Sequence, residues 1–158
     1  MARPSIFVLN GPNLGLLGLR EPAVYGTRTL ADIERDCRIL GDELSFDIAF
    51  YQHEAEHELI AVAHRARTQA TGIVINPAAL SYHGYGLLDA LKMCDCPIVE
   101  VHISNVHRRE EAWRAHSLFT PAVTGMLTGL GTDGYLLAIR HVAMLAAARA
   151  SAAIEPIP

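Results

Sequence analysis

Three short runs of this sequence place side chains that can hold or move protons beside residues that turn the chain. Asn10-Gly11-Pro12-Asn13 follows one apolar stretch, Asn76-Pro77 follows a second, and Glu100-Val101-His102-Ile103-Ser104-Asn105 closes a third. His102 stands out chemically, because imidazole changes charge near neutral pH. One residue inside the polar end of a strand, its ring can be held by neighbours and still face a cleft. A lone strand histidine is also commonly a packing residue, and Asn, Gly and Pro are ordinary turn residues, so each run alone has a plainer reading. A fourth stretch, Asn13–Gly26, carries Arg20 and Tyr25 on a connection too long for a tight turn, the length typical of lids and binding loops. An arginine beside a tyrosine favours phenolate and lowers the phenol pKa from about 10, which would make Tyr25 usable as a base. A surface arginine and a half-buried tyrosine are the alternative. Finally, Tyr82, His83 and Tyr85 crowd a turn that also holds Gly84 and Gly86.

These residues are positioned by apolar, strand-like runs that alternate with amphipathic ones. Ser5–Asn10, Asp47–Gln52, Gly72–Asn76 and Pro97–Ser104 read as strands, with Ala122–Leu130 as a possible fifth. Between them, Leu30, Ile33, Cys37, Leu40 and Leu44 recur at helical spacing behind a capping-box-like Thr29-Leu30-Ala31-Asp32. Glu54–Gln69 reads as a helix with an acidic first turn and a basic last one, and Tyr85–Cys94 as another. A short polar helix is expected near Arg109–Ala115, an alanine-rich helix from about Asp133 to Ala153, and a frayed tail over 151–158. Strands apolar throughout and separated by helices call for a parallel sheet covered on both faces. The expected architecture is a flavodoxin-like three-layer α/β/α sandwich with five parallel strands, formed as one domain over residues 1–158. In such a sheet the first, third and fourth strands end on one rim, where ligands bind.

Composition narrows the function further. The 158 residues are 51% hydrophobic with a formal net charge of −4, which suits a folded core and argues against nucleic-acid binding. No apolar run reaches the ~20 residues that span a bilayer, and the start, MARPSIFVLN, enters a strand directly, so a cytoplasmic protein is expected. The three cysteines, Cys37, Cys94 and Cys96, cannot all pair within one chain and read as structural. A metal or redox reading of Cys94-Asp95-Cys96 lacks a second thiol pair or a His-x-His partner. Asn10 and Asn13 stand where a phospho-receiver domain needs aspartates, GPNLGL is too poor in hydroxyls for a flavin-phosphate turn, and Gly-x-Gly-x-x-Gly and Walker patterns are absent.

Taken together, NGPNLGLLGLREPAVYG, NPAA, EVHISNVHRREE and TGLGTDGYLLA closely resemble the type II 3-dehydroquinate dehydratases, over about Ile6 to Leu145. The resemblance implies a flavodoxin-like enzyme without cofactor or metal, built of trimers assembled into a dodecamer, acting in the shikimate or quinate pathway. It implies dehydration of 3-dehydroquinate to 3-dehydroshikimate through an enolate. By match, Tyr25 would be the base, Arg20 would favour its phenolate, and Asn13 would orient a water that stabilises the enolate oxygen. His102 would protonate the departing hydroxyl, with Glu100 positioning it. Asn76, Ile103 and Ser104 would hold the substrate carboxylate, and Arg114, with Asp89 from a neighbouring subunit, would complete the pocket.

Two departures fall on the part of the pocket that grips the ring hydroxyls. Tyr82 occupies the place of the family's substrate-binding histidine, six residues after Asn76, and His83 follows it. The run REEAWRAHS is one residue longer than the family's usual Arg-Glu-Pro-Phe-Arg-His-His-Ser, so Trp113 and Arg114 match only across an insertion. Two functional readings follow: a working dehydratase with a modified substrate clamp, or a scaffold turned to a related hydroxylated cyclic ketone or to binding without turnover. Packing of Tyr82, His83 and Tyr85 at a subunit interface is the plainer reading of that turn.

Overall fold

A computed structural model describes residues 2–19 and 22–152, with Pro22 and Tyr25 described by backbone alone. The strands are β1 (Ser5–Asn10), β2 (Asp47–Gln52), β3 (Ala70–Asn76), β4 (Ile98–His102) and β5 (Gly125–Thr128). The helices are α1 (Pro22–Tyr25), α2 (Leu30–Leu44), α3 (Glu56–Gln69), α4 (Tyr85–Lys92) and α5 (Asp133–Ala152). All strand pairs are parallel, in the order β2-β1-β3-β4-β5.

The strands are apolar at successive positions because both sheet faces are covered. On β1, Ile6 and Val8 join a core with Ile33, Cys37 and Leu40 of α2 and Ala138, Ile139 and Val142 of α5. Phe7 and Leu9, pointing the other way, join Leu59, Val62 and Ala66 of α3 and Leu87 and Leu91 of α4. The three-layer α/β/α sandwich expected from the sequence is therefore the fold. Close approach of the layers explains Gly72 of β3: a Cβ there would stand 2.0 Å from Val142 Cγ1 of α5.

Helix α2 starts where the capping box was read. Asp32 N–H donates to Thr29 Oγ1 at 3.2 Å, and Thr29 N–H donates to Asp32 Oδ2 at 3.0 Å. Other elements differ in detail. Helix α4 stops at Lys92 rather than Cys94, because Met93 and Cys94 N–H groups bond back three residues and tighten the last turn. The polar helix expected at Arg109–Ala115 is a 3-10 turn over Ala112–Ala115, with no buried side chain to extend it into α-helix. The first part of the connection after β1 turns through the 3-10 turn Leu14–Leu16, with Leu14 and Leu17 buried. The expected fraying over 151–158 concerns residues of which 153–158 lie outside the described ones. Among the described residues, no helix is long and apolar enough to cross a membrane.

Candidate active site

The site is built where β1, β3 and β4 end together. Asn10 and Asn76 are register partners at the ends of β1 and β3, and both are buried. Their side-chain amides meet on Tyr135, which reaches across from α5. The Tyr135 hydroxyl donates to Asn10 Oδ1 at 2.7 Å and accepts from Asn76 Nδ2 at 2.9 Å. Asn10 Nδ2 donates in turn to the Tyr51 carbonyl at 2.9 Å, and Asn76 Oδ1 accepts from Ala78 N–H at 3.2 Å. An amide has two donor hydrogens and two acceptor lone pairs, so Asn76 keeps capacity for a ligand. Burial pushes the Tyr135 phenol well above its usual range, against the opposing hydrogen bond from Asn76. Tyr135 is thus a neutral hydroxyl that holds two strand ends, and it is no base.

Glu100 and His102 are two residues apart on β4 and share one face of the sheet. His102 Nε2 lies 2.7 Å from Glu100 Oε1, with Glu100 fully buried and His102 8% exposed. The far carboxylate oxygen accepts from Ser117 Oγ at 2.9 Å, and Ser117 Oγ accepts from Phe119 N–H at 3.1 Å. Because the Phe119 amide occupies a lone pair of the serine oxygen, its single hydrogen is directed at Glu100. The ring orientation of His102 is fixed from behind. With Nε2 committed to Glu100, Nδ1 is the ring nitrogen that serves the cleft, and His102 can pass a proton there.

A cleft of about 190 Å³ opens over these groups, lined among others by Asn13, Asn76, Tyr82, His102, Ser104, Arg109 and Arg114. Arg109 donates to Ser104 Oγ at 2.6 Å. Arg109 and Arg114, the latter with Glu111 Oε2 3.2 Å from its Nε, bring two guanidinium groups to the cleft wall, chemistry that suits an anion, above all a carboxylate. The entrance loops approach closely: a Cβ on Gly11 would stand 2.3 Å from the Pro77 carbonyl oxygen, so only glycine fits. Asn13 and Ala78, both cleft residues, hold φ values of 67° and 51°. Asparagine tolerates that conformation, whereas for alanine it costs of order 1–3 kcal/mol and concentrates at binding sites.

Seven of the residues singled out by sequence therefore meet in one cleft: Asn13, Asn76, Tyr82, His102, Ile103, Ser104 and Arg114. Glu100 stands behind His102 rather than in the cleft. Asp89 lies on the exposed side of α4 and does not line it. Arg20 and the Tyr25 side chain lie outside the described residues. His83 is exposed at the end of the 3-10 turn Ala78–Tyr82. Sequence reading missed Arg109, Ser117 and Tyr135. The first was visible as a second arginine beyond the fourth strand. The other two act through contacts distant in sequence and leave no local signal.

An open parallel sheet with a buried Glu–His pair and an arginine-lined cleft at its carboxyl rim defines an α/β enzyme for a small anionic molecule. The family model "Dehydroquinase class II" matches residues 4–143. The chain is 51% identical over 145 residues to the 3-dehydroquinate dehydratase of Methylobacterium radiotolerans, covering 92% of this chain and 97% of that protein. It is 47% identical over 139 residues to the 3-dehydroquinate dehydratase of Bacillus pumilus, covering 88% and 94%. The type II dehydroquinase structure from Propionibacterium acnes superposes with a TM-score of 0.85 at 44% identity, over 89% of this chain and 96% of that one. The type II dehydroquinase from Butyrivibrio crossotus gives 0.86 at 33% identity, over 90% and 99%. The chain belongs to the class II dehydroquinase family.

Proposed function

We propose that this protein is a hydro-lyase that converts 3-dehydroquinate to 3-dehydroshikimate. The observation that carries the reading is His102, gripped from behind by buried Glu100 and open to a cleft with two arginines. In the elimination, a base takes a proton from the carbon beside the ketone, and the electron pair passes into an enolate. The enolate collapses as the hydroxyl departs, taking a proton from an acid, so that one water is lost. A base and an acid on opposite faces of the ring make the elimination anti.

His102 is the acid in this reading and Glu100 its positioning partner, held by Ser117. Tyr25 is the base and Arg20 the cation that favours its phenolate. Asn13 orients a water at the enolate oxygen. Asn76, Ile103 and Ser104 bind the carboxylate at the end of β4, and Tyr82 and Arg114 close the wall. Asp89 reaches the site of a neighbouring copy in a trimer-based dodecamer; a monomer in light scattering at micromolar concentration would remove that role. The enzyme acts as one catalytic domain in the cytoplasm, in the shikimate or quinate pathway, and needs no cofactor or metal. The departures from the family's sequence pattern fall on Tyr82 and the segment around Trp113, whereas Asn13, Glu100 and His102 match it. That favours dehydratase over a binding scaffold.

The test is the ultraviolet absorbance of the conjugated enone, with purified protein and 3-dehydroquinate after dialysis against a chelator. Turnover is expected from the native protein, with kcat about 10²- to 10⁴-fold lower in His102→Ala, the range for loss of general acid catalysis. No enone from the native protein, or His102→Ala at native rate, would sink the reading or the acid assignment respectively.

A further inference from the structure

We infer that Tyr82 is a positioning residue for Arg114, and that it serves the substrate site through that arginine rather than by donating its own hydroxyl. The inference rests on the dehydratase reading of the cleft. Tyr82 itself is held firmly. It ends the turn Ala78–Tyr82, where Ser81 Oγ donates to the Ala78 carbonyl at 2.8 Å, Leu118 N–H donates to the Ser81 carbonyl at 2.7 Å, and Leu80 is buried. The segment opposite, Ala112–Ala115, buries no side chain, and Trp113 is 55% exposed. What it lacks in core packing it draws from Tyr82. The Tyr82 hydroxyl donates to the Arg114 carbonyl at 3.3 Å, and the Tyr82 and Trp113 rings meet edge to face, 4.7 Å apart at 82°. The Arg114 guanidinium lies over both rings, 4.5 Å from the centre of Trp113 and 5.9 Å from that of Tyr82, and its Nε is 3.2 Å from Glu111 Oε2.

A phenol has one hydrogen to donate, and here a backbone carbonyl takes it. What Tyr82 offers the cleft is a ring wall and a fixed Arg114. The two departures of this chain from its family pattern, tyrosine for histidine and one extra residue before Trp113, thus form a single device: the longer segment is latched by the longer side chain.

The latch predicts a specific kinetic pattern. Tyr82→Phe keeps the ring and removes the O–H, so KM rises about two- to tenfold, as for loss of one neutral hydrogen bond, while kcat moves less than about twofold. In an Arg114→Ala background the same change adds nothing to KM, because the arginine it positions is gone. Trp113, the chain's one tryptophan, reports the segment directly: its fluorescence anisotropy falls in Tyr82→Phe. An additive KM loss in the double variant would put the hydroxyl on the substrate and overturn the latch, as would an unchanged KM or an unchanged anisotropy. Native protein without turnover, but with the anisotropy change, would instead overturn the dehydratase reading and leave the latch standing.

Discussion

At the scale of single residues, the site depends on groups that never touch a ligand. Tyr135 joins residues 125 positions apart through its bond to Asn10 and takes Asn76 as well. Tyr135→Phe would leave both buried amides short of a partner, each costing about 1–3 kcal/mol. A fall in Tm of several degrees is expected, together with a raised KM as Asn76 loses its anchor. A variant with native Tm and native KM would show the hydroxyl to be idle. Nothing in the local sequence marks Tyr135, whose position near the start of a helix looks like any core aromatic. By contrast, the ends of β1, β3 and β4 were legible, because amides and a histidine at the close of apolar runs are unusual and a parallel sheet must bring them to one rim.

Elements were legible in proportion to their apolar periodicity. The bounds of β1 and β2 fall where the runs SIFVLN and DIAFYQ predict, since both faces of each strand are buried or partly buried. The segment after β4 was not, because Val106–Arg108 and Ala112–Ala115 are polar 3-10 turns with little apolar pattern to read. The start of α2 offers a test at this scale. Hydrogen bonds from the Thr29 backbone and side chain, then from Arg35, hold the Asp32 carboxyl down at about 2 against its ordinary 3.8. A depressed folded-state pKa stabilises above the unfolded value and ceases to do so as pH falls through the folded one. The stability gap between the native protein and Asp32→Ala should be complete above about pH 5 and close between about pH 4 and 2, in urea midpoints taken across that range. A gap independent of pH would mean that the charge plays no part in the cap.

For the whole molecule, the five-stranded parallel sheet has one task in this account, to set an acid on one face of a bound ring and a base on the other. His102 ends β4 at the cleft and is the acid in the proposed reaction. Tyr25, in the segment that follows β1, is the base in that proposal. Composition argued against nucleic acid as a partner and patterning gave the layers, but the clamp was readable only as a departure from a family pattern. Its workings needed Tyr82, Trp113 and Arg114 in three dimensions. The most direct test of the opposed geometry uses 3-dehydroquinate deuterated only on the methylene face opposite the departing hydroxyl, with the mass of the enone product as readout. Product without deuterium is the predicted result. Product that keeps the label would mean that proton and hydroxyl leave from the same face, and would contradict the account.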